Sequence, residues 1–253
     1  MASLDRWLLA LTLSHGAGLW AGGRRALDRA GRATIAALLS ASAACWSVDG
    51  RSARHLIYLH GRIVQEQQSA RPRHPQHGTY ELEEILDTFR ERGFVVSGEI
   101  RPRSASVSDS ADRVVGQVRR LIESGVPADH VTVVGGSMGA EIALLASSRL
   151  QALEVRFGLL GACLSESART LHADEGVGPA GHLLSIRESS DELTGSCLPW
   201  NSELEPSSKL FAREIVLDTG LGHGFLYRPL PEWVDPIVEL AGAKSEVAHG
   251  SRR

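Results

Sequence analysis

The chain lacks a surplus of charge of either sign. Its 27 Lys and Arg face 30 Asp and Glu, a formal net charge of −3 over 253 residues. That balance argues against a broad cationic surface for nucleic acid or for an anionic membrane. Lysine is almost missing, confined to Lys209 and Lys244, and the scattered arginines in its place read as coding bias. Cysteine is scarce, at 3 residues. No Cys/His set has zinc spacing, because His55, His60, His74 and His77 fall in an expected strand and a Pro-rich loop. No metal and no organic cofactor is implied. Internal repeats are missing, and no apolar run is long enough for a stable membrane span. A chain of 253 residues can bury one good core, usually as a single domain in α/β proteins. A small-molecule substrate is the expected partner, and oligomeric state is left open.

What is present begins with Val131 to Leu145. Val131–Val134 is β-branched and apolar, as a strand buried on both faces should be. Ala140 to Leu150 is made mostly of helix formers. Between them Gly135, Ser137 and Gly139 fit G-x-S-x-G, the sharp strand-to-helix turn that presents a nucleophilic serine. The small flanking residues let strand and helix pass closely while the serine takes a strained backbone conformation. The turn also puts the hydroxyl at a helix N-terminus, where developing negative charge is favoured. A nucleotide-binding turn would want G-x-G-x-x-G, and the chain has Gly-Gly-Ser-Met-Gly-Ala instead.

A serine needs a neighbouring base, itself oriented by an acid. His223 follows the expected strand 214–218 and is flanked by Gly222 and Gly224, which suggests a mobile, sterically open loop. Asp191 lies a few residues past the expected strand 182–187, where a carboxylate can fix the imidazole tautomer. Glu188, Glu192 and Asp174 are rival acids, and Asp218 stands too near His223 to be the first choice.

The order Ser137, Asp191, His223 resembles that of the α/β-hydrolase family. The segment His55-Leu-Ile-Tyr-Leu-His60-Gly61-Arg62 is similar to the family's strand ending in His-Gly. The likeness runs from about residue 54 to about 242, in the manner of compact dienelactone-hydrolase-like or carboxylesterase-like members. It implies a serine hydrolase acting on an ester, or less readily a thioester or amide. It implies oxyanion donors at the N–H of Met138 and at an N–H of Gly61 or Arg62, with His60 structural. No apolar insertion is large enough for a lipase-type lid, so no large cap domain and no long-chain lipid substrate are expected. An acyltransferase with the same three residues and a non-enzymatic binding module on the same fold are the alternatives.

Read along the chain, strands are expected at 55–60, 94–100, 130–135, 154–161, 182–187 and 214–218. Helices are expected at 79–92, 111–124, 138–150 and 231–242, with a polar loop at 62–78. Leu82, Ile85, Leu86 and Phe89 give one apolar stripe, and Val114, Val118, Leu121 and Ile122 another. Gly93 and Gly125 follow these two helices as stops. Alternation of this kind implies a mostly parallel central sheet with helices on both faces, and ligands bind outside the C-terminal strand ends. Arg62, Arg101 and Arg103 follow strands on that edge, where they could hold an anionic group or be solvated or paired with acids such as Glu99.

Residues 1–50 read as an extension, 51–242 as the hydrolase-like domain and 243–253 as a disordered tail. Arg24–Arg32 is basic, Ala33–Ala44 small and apolar, and Ala-Ser-Ala-Ala-Cys45 closes the segment like a cleavage site. This signal-like pattern lies far from Met1. It predicts export to the periplasm or beyond, with a cytoplasmic enzyme as the alternative; Cys45 as a lipid-bearing residue is a third reading, against which Ser42 counts. Cys163 and Cys197 each follow a predicted strand on neighbouring connections. A bridge between them fits an exported protein, and two buried thiols are the other reading.

Overall fold

The computed structural model describes residues 52–151, 154–163, 178–197 and 211–242. The signal-like segment with Cys45, the rival acid Asp174 and the tail 243–253 lie outside the described residues.

The apolar runs become six parallel strands: β1 (Arg54–Leu59), β4 (Phe94–Ser97), β5 (Val131–Gly136), β6 (Arg156–Leu160), β7 (His182–Glu188) and β8 (Phe211–Leu217). They lie in the order β4-β1-β5-β6-β7-β8. Side chains alternate between the two faces of a strand, so β1 feeds two cores. Ile57 and Leu59 join Val131 and Val133 against helices α3 (Val107–Glu123) and α4 (Met138–Leu150). Leu56 and Tyr58 join Val134 against α2 (Leu82–Glu91) and α5 (Pro231–Gly242). The fold is α/β, with helices on both faces of a parallel sheet.

Several boundaries differ from the expectations for identifiable reasons. The loop 62–78 contains a short helix, α1 (Arg62–Gln67), and a hairpin of β2 (Arg73–His74) and β3 (Gly78–Thr79). Its polar composition hid both. Helix α3 begins four residues before the expected 111, because Ser106 Oγ accepts the Asp109 N–H and caps a polar first turn that carries no apolar stripe. The strand expected to reach 100 ends at Ser97. Gly93 and Gly125 do stop their helices, at φ 86° and 96°. No helix among the described residues is long and apolar enough to cross a membrane.

Register fixes the working edge. Leu59 pairs with Gly135, and Gly135 with Leu159, so the β1, β5 and β6 connections emerge side by side. The β7 and β8 connections follow on the same edge.

Candidate active site

Ser137 sits between β5 and α4 at φ 54° and ψ −121°, a conformation that L-residues avoid. Its neighbours show why only glycine fits. A Cβ on Gly135 would fall inside the backbone of Gly139, and a Cβ on Gly139 inside the Leu59 carbonyl of β1. The turn is tied down by Ser137 N–H donating to Leu160 O at 2.9 Å and by Ala140 N–H donating to Ser137 O at 2.8 Å.

The three residues separated in sequence meet here. His223 Nε2 lies 3.0 Å from Ser137 Oγ, and His223 Nδ1 lies 2.8 Å from Asp191 Oδ2. The ionised carboxylate can only accept, so Nδ1 carries the proton and Nε2 is left to accept the serine hydroxyl. The Asp191 carboxylate is sealed from solvent, and the imidazole is 12 % exposed. Burial alone would raise the Asp191 pKa. Hydrogen bonds from His223, Thr194 and the Leu193 N–H outweigh it and hold the carboxyl below its ordinary range.

His223 does not lie in an open glycine loop as the sequence suggested. It opens a 3-10 turn, Gly222–Tyr227, whose Phe225, Leu226 and Tyr227 are buried behind it. Of the rival acids, Glu192 is exposed, while Asp218 accepts the Ser189 hydroxyl at 3.2 Å. Glu188 is buried and bound elsewhere. Its Oε2 accepts Ser190 N–H at 2.7 Å and Ser190 Oγ–H at 2.6 Å, and its Oε1 accepts the Thr219 and Gly220 N–H groups at 3.0 Å each. These bonds offset its burial and keep its pKa low.

The β1–α1 turn closes the other side. A Cβ on Gly61 would stand 3.7 Å from Ser137 Cβ, so this turn touches the elbow. Gly61 caps α1, and Arg62 and Met138 begin α1 and α4, where amides have no acceptor one turn back. His60 is wedged behind: its Nδ1–H donates to Gly61 O at 2.8 Å, and its Nε2 accepts the Arg101 N–H at 3.1 Å. Burial first, and the Arg101 charge second, push its pKa down to about 4, so it is a neutral structural residue.

The three arginines separate. Arg101 is buried, and its guanidinium donates to His60 O at 2.6 Å and Gln65 Oε1 at 3.0 Å. It braces the β1 turn from behind and does not line the site cavity. Arg103 is exposed. Arg62 alone reaches the cavity, a space of about 280 Å³ beside Ser137 and His223.

One wall of that cavity is the hairpin inside the polar 62–78 loop. His74 and His77 stack at 4.5 Å between ring centroids, and His77 stands 5.4 Å from Tyr227 and 6.2 Å from His223. Burial, then the neighbouring His74 and His223, lower the His77 pKa. The one available signal was the Gly78 that lets this hairpin turn, at φ 81°.

No protein-family model matches the chain, and no curated protein matches it. Solved structures do. The chain is similar to a hyperthermophilic esterase from the archaeon Pyrobaculum calidifontis, at 16 % identity over 75 % of each chain and a TM-score of 0.48. It is similar to an α/β serine hydrolase without a lid from Xanthomonas campestris, at 15 % identity over 74 % of this chain and 80 % of that one, with a TM-score of 0.43. It is also similar to an esterase/lipase from an uncultured bacterium, at 15 % identity over 75 % of each chain and a TM-score of 0.42. At such identities the chemistry has to come from this chain's own geometry.

Two further features frame the site. Cys163 and Cys197 are disulfide-bonded, joining the turn after β6 to the far end of the Asp191 turn. Glu214 on β8 accepts the Cys197 N–H and the Ser196 hydroxyl, both at 2.8 Å. Among the described residues no cluster of His, Cys, Asp and Glu could hold a metal ion.

Proposed function

We propose that the protein is a serine hydrolase cleaving a carboxylic ester of a small soluble substrate through an acyl-enzyme. The observation that carries this reading is the unbroken hydrogen-bond chain from Ser137 Oγ through His223 to Asp191. The serine oxygen attacks the ester carbonyl as His223 Nε2 takes its proton. The tetrahedral intermediate collapses, and the same nitrogen protonates the departing alkoxide. Water, deprotonated by His223, then releases the acid and restores the serine. Asp191 holds the imidazole tautomer and stabilises its cationic form.

The developing oxyanion is held by two amides. Met138 N–H supplies one, with the N-terminal end of α4 behind it. The N–H of Gly61 or of Arg62, on the β1–α1 turn that touches the elbow, supplies the second. Each such donor contributes about 3 kcal/mol in the transition state. The cavity volume of about 280 Å³ supports a short acyl or alcohol group. The cystine supports passage through an oxidising compartment, and hence export.

A panel of 4-nitrophenyl esters from acetate to palmitate tests this. Short esters should turn over with a kcat that Ser137→Ala and His223→Ala each reduce by at least about 10⁴-fold. Full activity in either variant removes that residue from the mechanism, and a preference for palmitate overturns the small-substrate reading. Product analysis with added alcohols separates hydrolysis from acyl transfer.

A further inference from the structure

The acid and the base lie on two different loops, and their meeting at 2.8 Å requires both loops to hold one mutual position. The chain places a buried carboxylate between them. Glu188 ends β7 opposite Leu217 of β8, and it is 1 % exposed. Its two oxygens divide the work. Oε2 takes the backbone and side chain of Ser190, the residue before Asp191. Oε1 takes the N–H groups of Thr219 and Gly220, which lead into the His223 turn. Ser190 Oγ closes the circuit by accepting the N–H of Gly222, the residue before His223, at 3.2 Å.

We propose that Glu188 is a positioning residue for the hydrolysis, a buried carboxylate clasp that sets the Asp191–His223 distance by binding each residue's loop through a separate oxygen. This rests on the serine-hydrolase reading above. A carboxylate suits the role because all its partners are donors and it can only accept. An amide cannot replace it, since its NH₂ would face N–H donors on one of the two loops. Glu214 is the natural comparison. It too is a buried carboxylate accepting from the Asp191 loop, but none of its hydrogen bonds reaches the His223 turn.

The test compares Glu188→Gln, Ser190→Ala and Ser137→Ala with wild type, measuring kcat and KM on the best short ester and the thermal midpoint. Ser190→Ala removes only the Ser190–Gly222 link and one of the bonds to Oε2, so it keeps the question answerable if Glu188→Gln does not fold. Expected is a fall in kcat of about 10–100-fold for Glu188→Gln and a smaller fall for Ser190→Ala, with KM within about twofold for both. Ser190→Thr, which keeps the hydroxyl, should restore most of the loss. A purely structural carboxylate would lower the folded fraction and leave kcat per folded molecule unchanged, and that result overturns the inference. Wild-type turnover abolished by Ser137→Ala, together with wild-type kcat in the Glu188 and Ser190 variants, would sink the clasp and leave the enzyme reading intact. Folded wild type without turnover would overturn both.

Discussion

Around Ser137 the chain is held by exclusion of volume, whereas around Asp191 and His223 it is held by buried hydrogen bonds to carboxylates. On the serine side, backbone lies on backbone: Gly139 against Leu59 O, and Gly135 against Gly139. On the other side, Glu188 and Glu214 collect donors from the connecting loops, and the cystine joins the Asp191 turn to the turn after β6. The contrast teaches where each half is vulnerable. Close packing fails with one added methyl group, because backbone cannot move aside. Polar clasps fail by degrees, one donor at a time.

Gly139→Ala should break the comparison most completely. The new Cβ overlaps the Leu59 carbonyl, so a loss on the order of 5 kcal/mol is expected, at the extreme for a single substitution. Circular dichroism and the thermal midpoint check it; a variant as stable as wild type would refute the packing account of the elbow. Asp191→Asn comes next. It keeps shape and fold but disturbs the tautomer, and kcat should fall by about 10⁴-fold with little change in midpoint. Steady-state kinetics on purified variant decides this, and near-normal kcat would return the acid role to another carboxylate.

Removing the cystine is expected to act on stability first. Its sequence separation of 34 corresponds to about 3–4 kcal/mol in the chain-entropy account, seen as a lower midpoint in Cys163→Ala/Cys197→Ala. An unchanged midpoint would mean that the hydrogen bonds to Glu188 and Glu214 hold these loops without the cystine. The smallest effect is a slope with pH. Folded His60 titrates at about 4 against an ordinary 6.5, so the folded state binds fewer protons than the unfolded chain between those values. Stability from this residue is complete above 6.5 and declines as pH falls towards 4. Midpoints measured across that range should fall in wild type and fall less in His60→Gln. The depressed Glu188 and Glu214 carboxyls add a second decline below their ordinary 4.5.

The same contrast explains what could be read from the residues. Ser137 was legible because steric exclusion leaves a local trace, glycines at fixed offsets. The alternating apolar strands and striped helices made the parallel sheet legible, and His223 and Asp191 followed from their places after strands. Glu188 was visible only as a rival acid, since its partners at Ser190, Thr219 and Gly220 lie on two loops that only the fold brings together. The His74–His77 hairpin was invisible for a related reason. A polar segment of Gln, Arg, Pro and His carries no periodicity, and its order comes from Tyr227 and the His223 turn packed beneath it.

The central claim is that Ser137 is an activated nucleophile. Labelling with a fluorophosphonate, read by intact mass, tests it most directly. The account expects one adduct on folded wild type and none on Ser137→Ala. Folded wild type that takes no label, or a Ser137→Ala protein that labels equally, would contradict it.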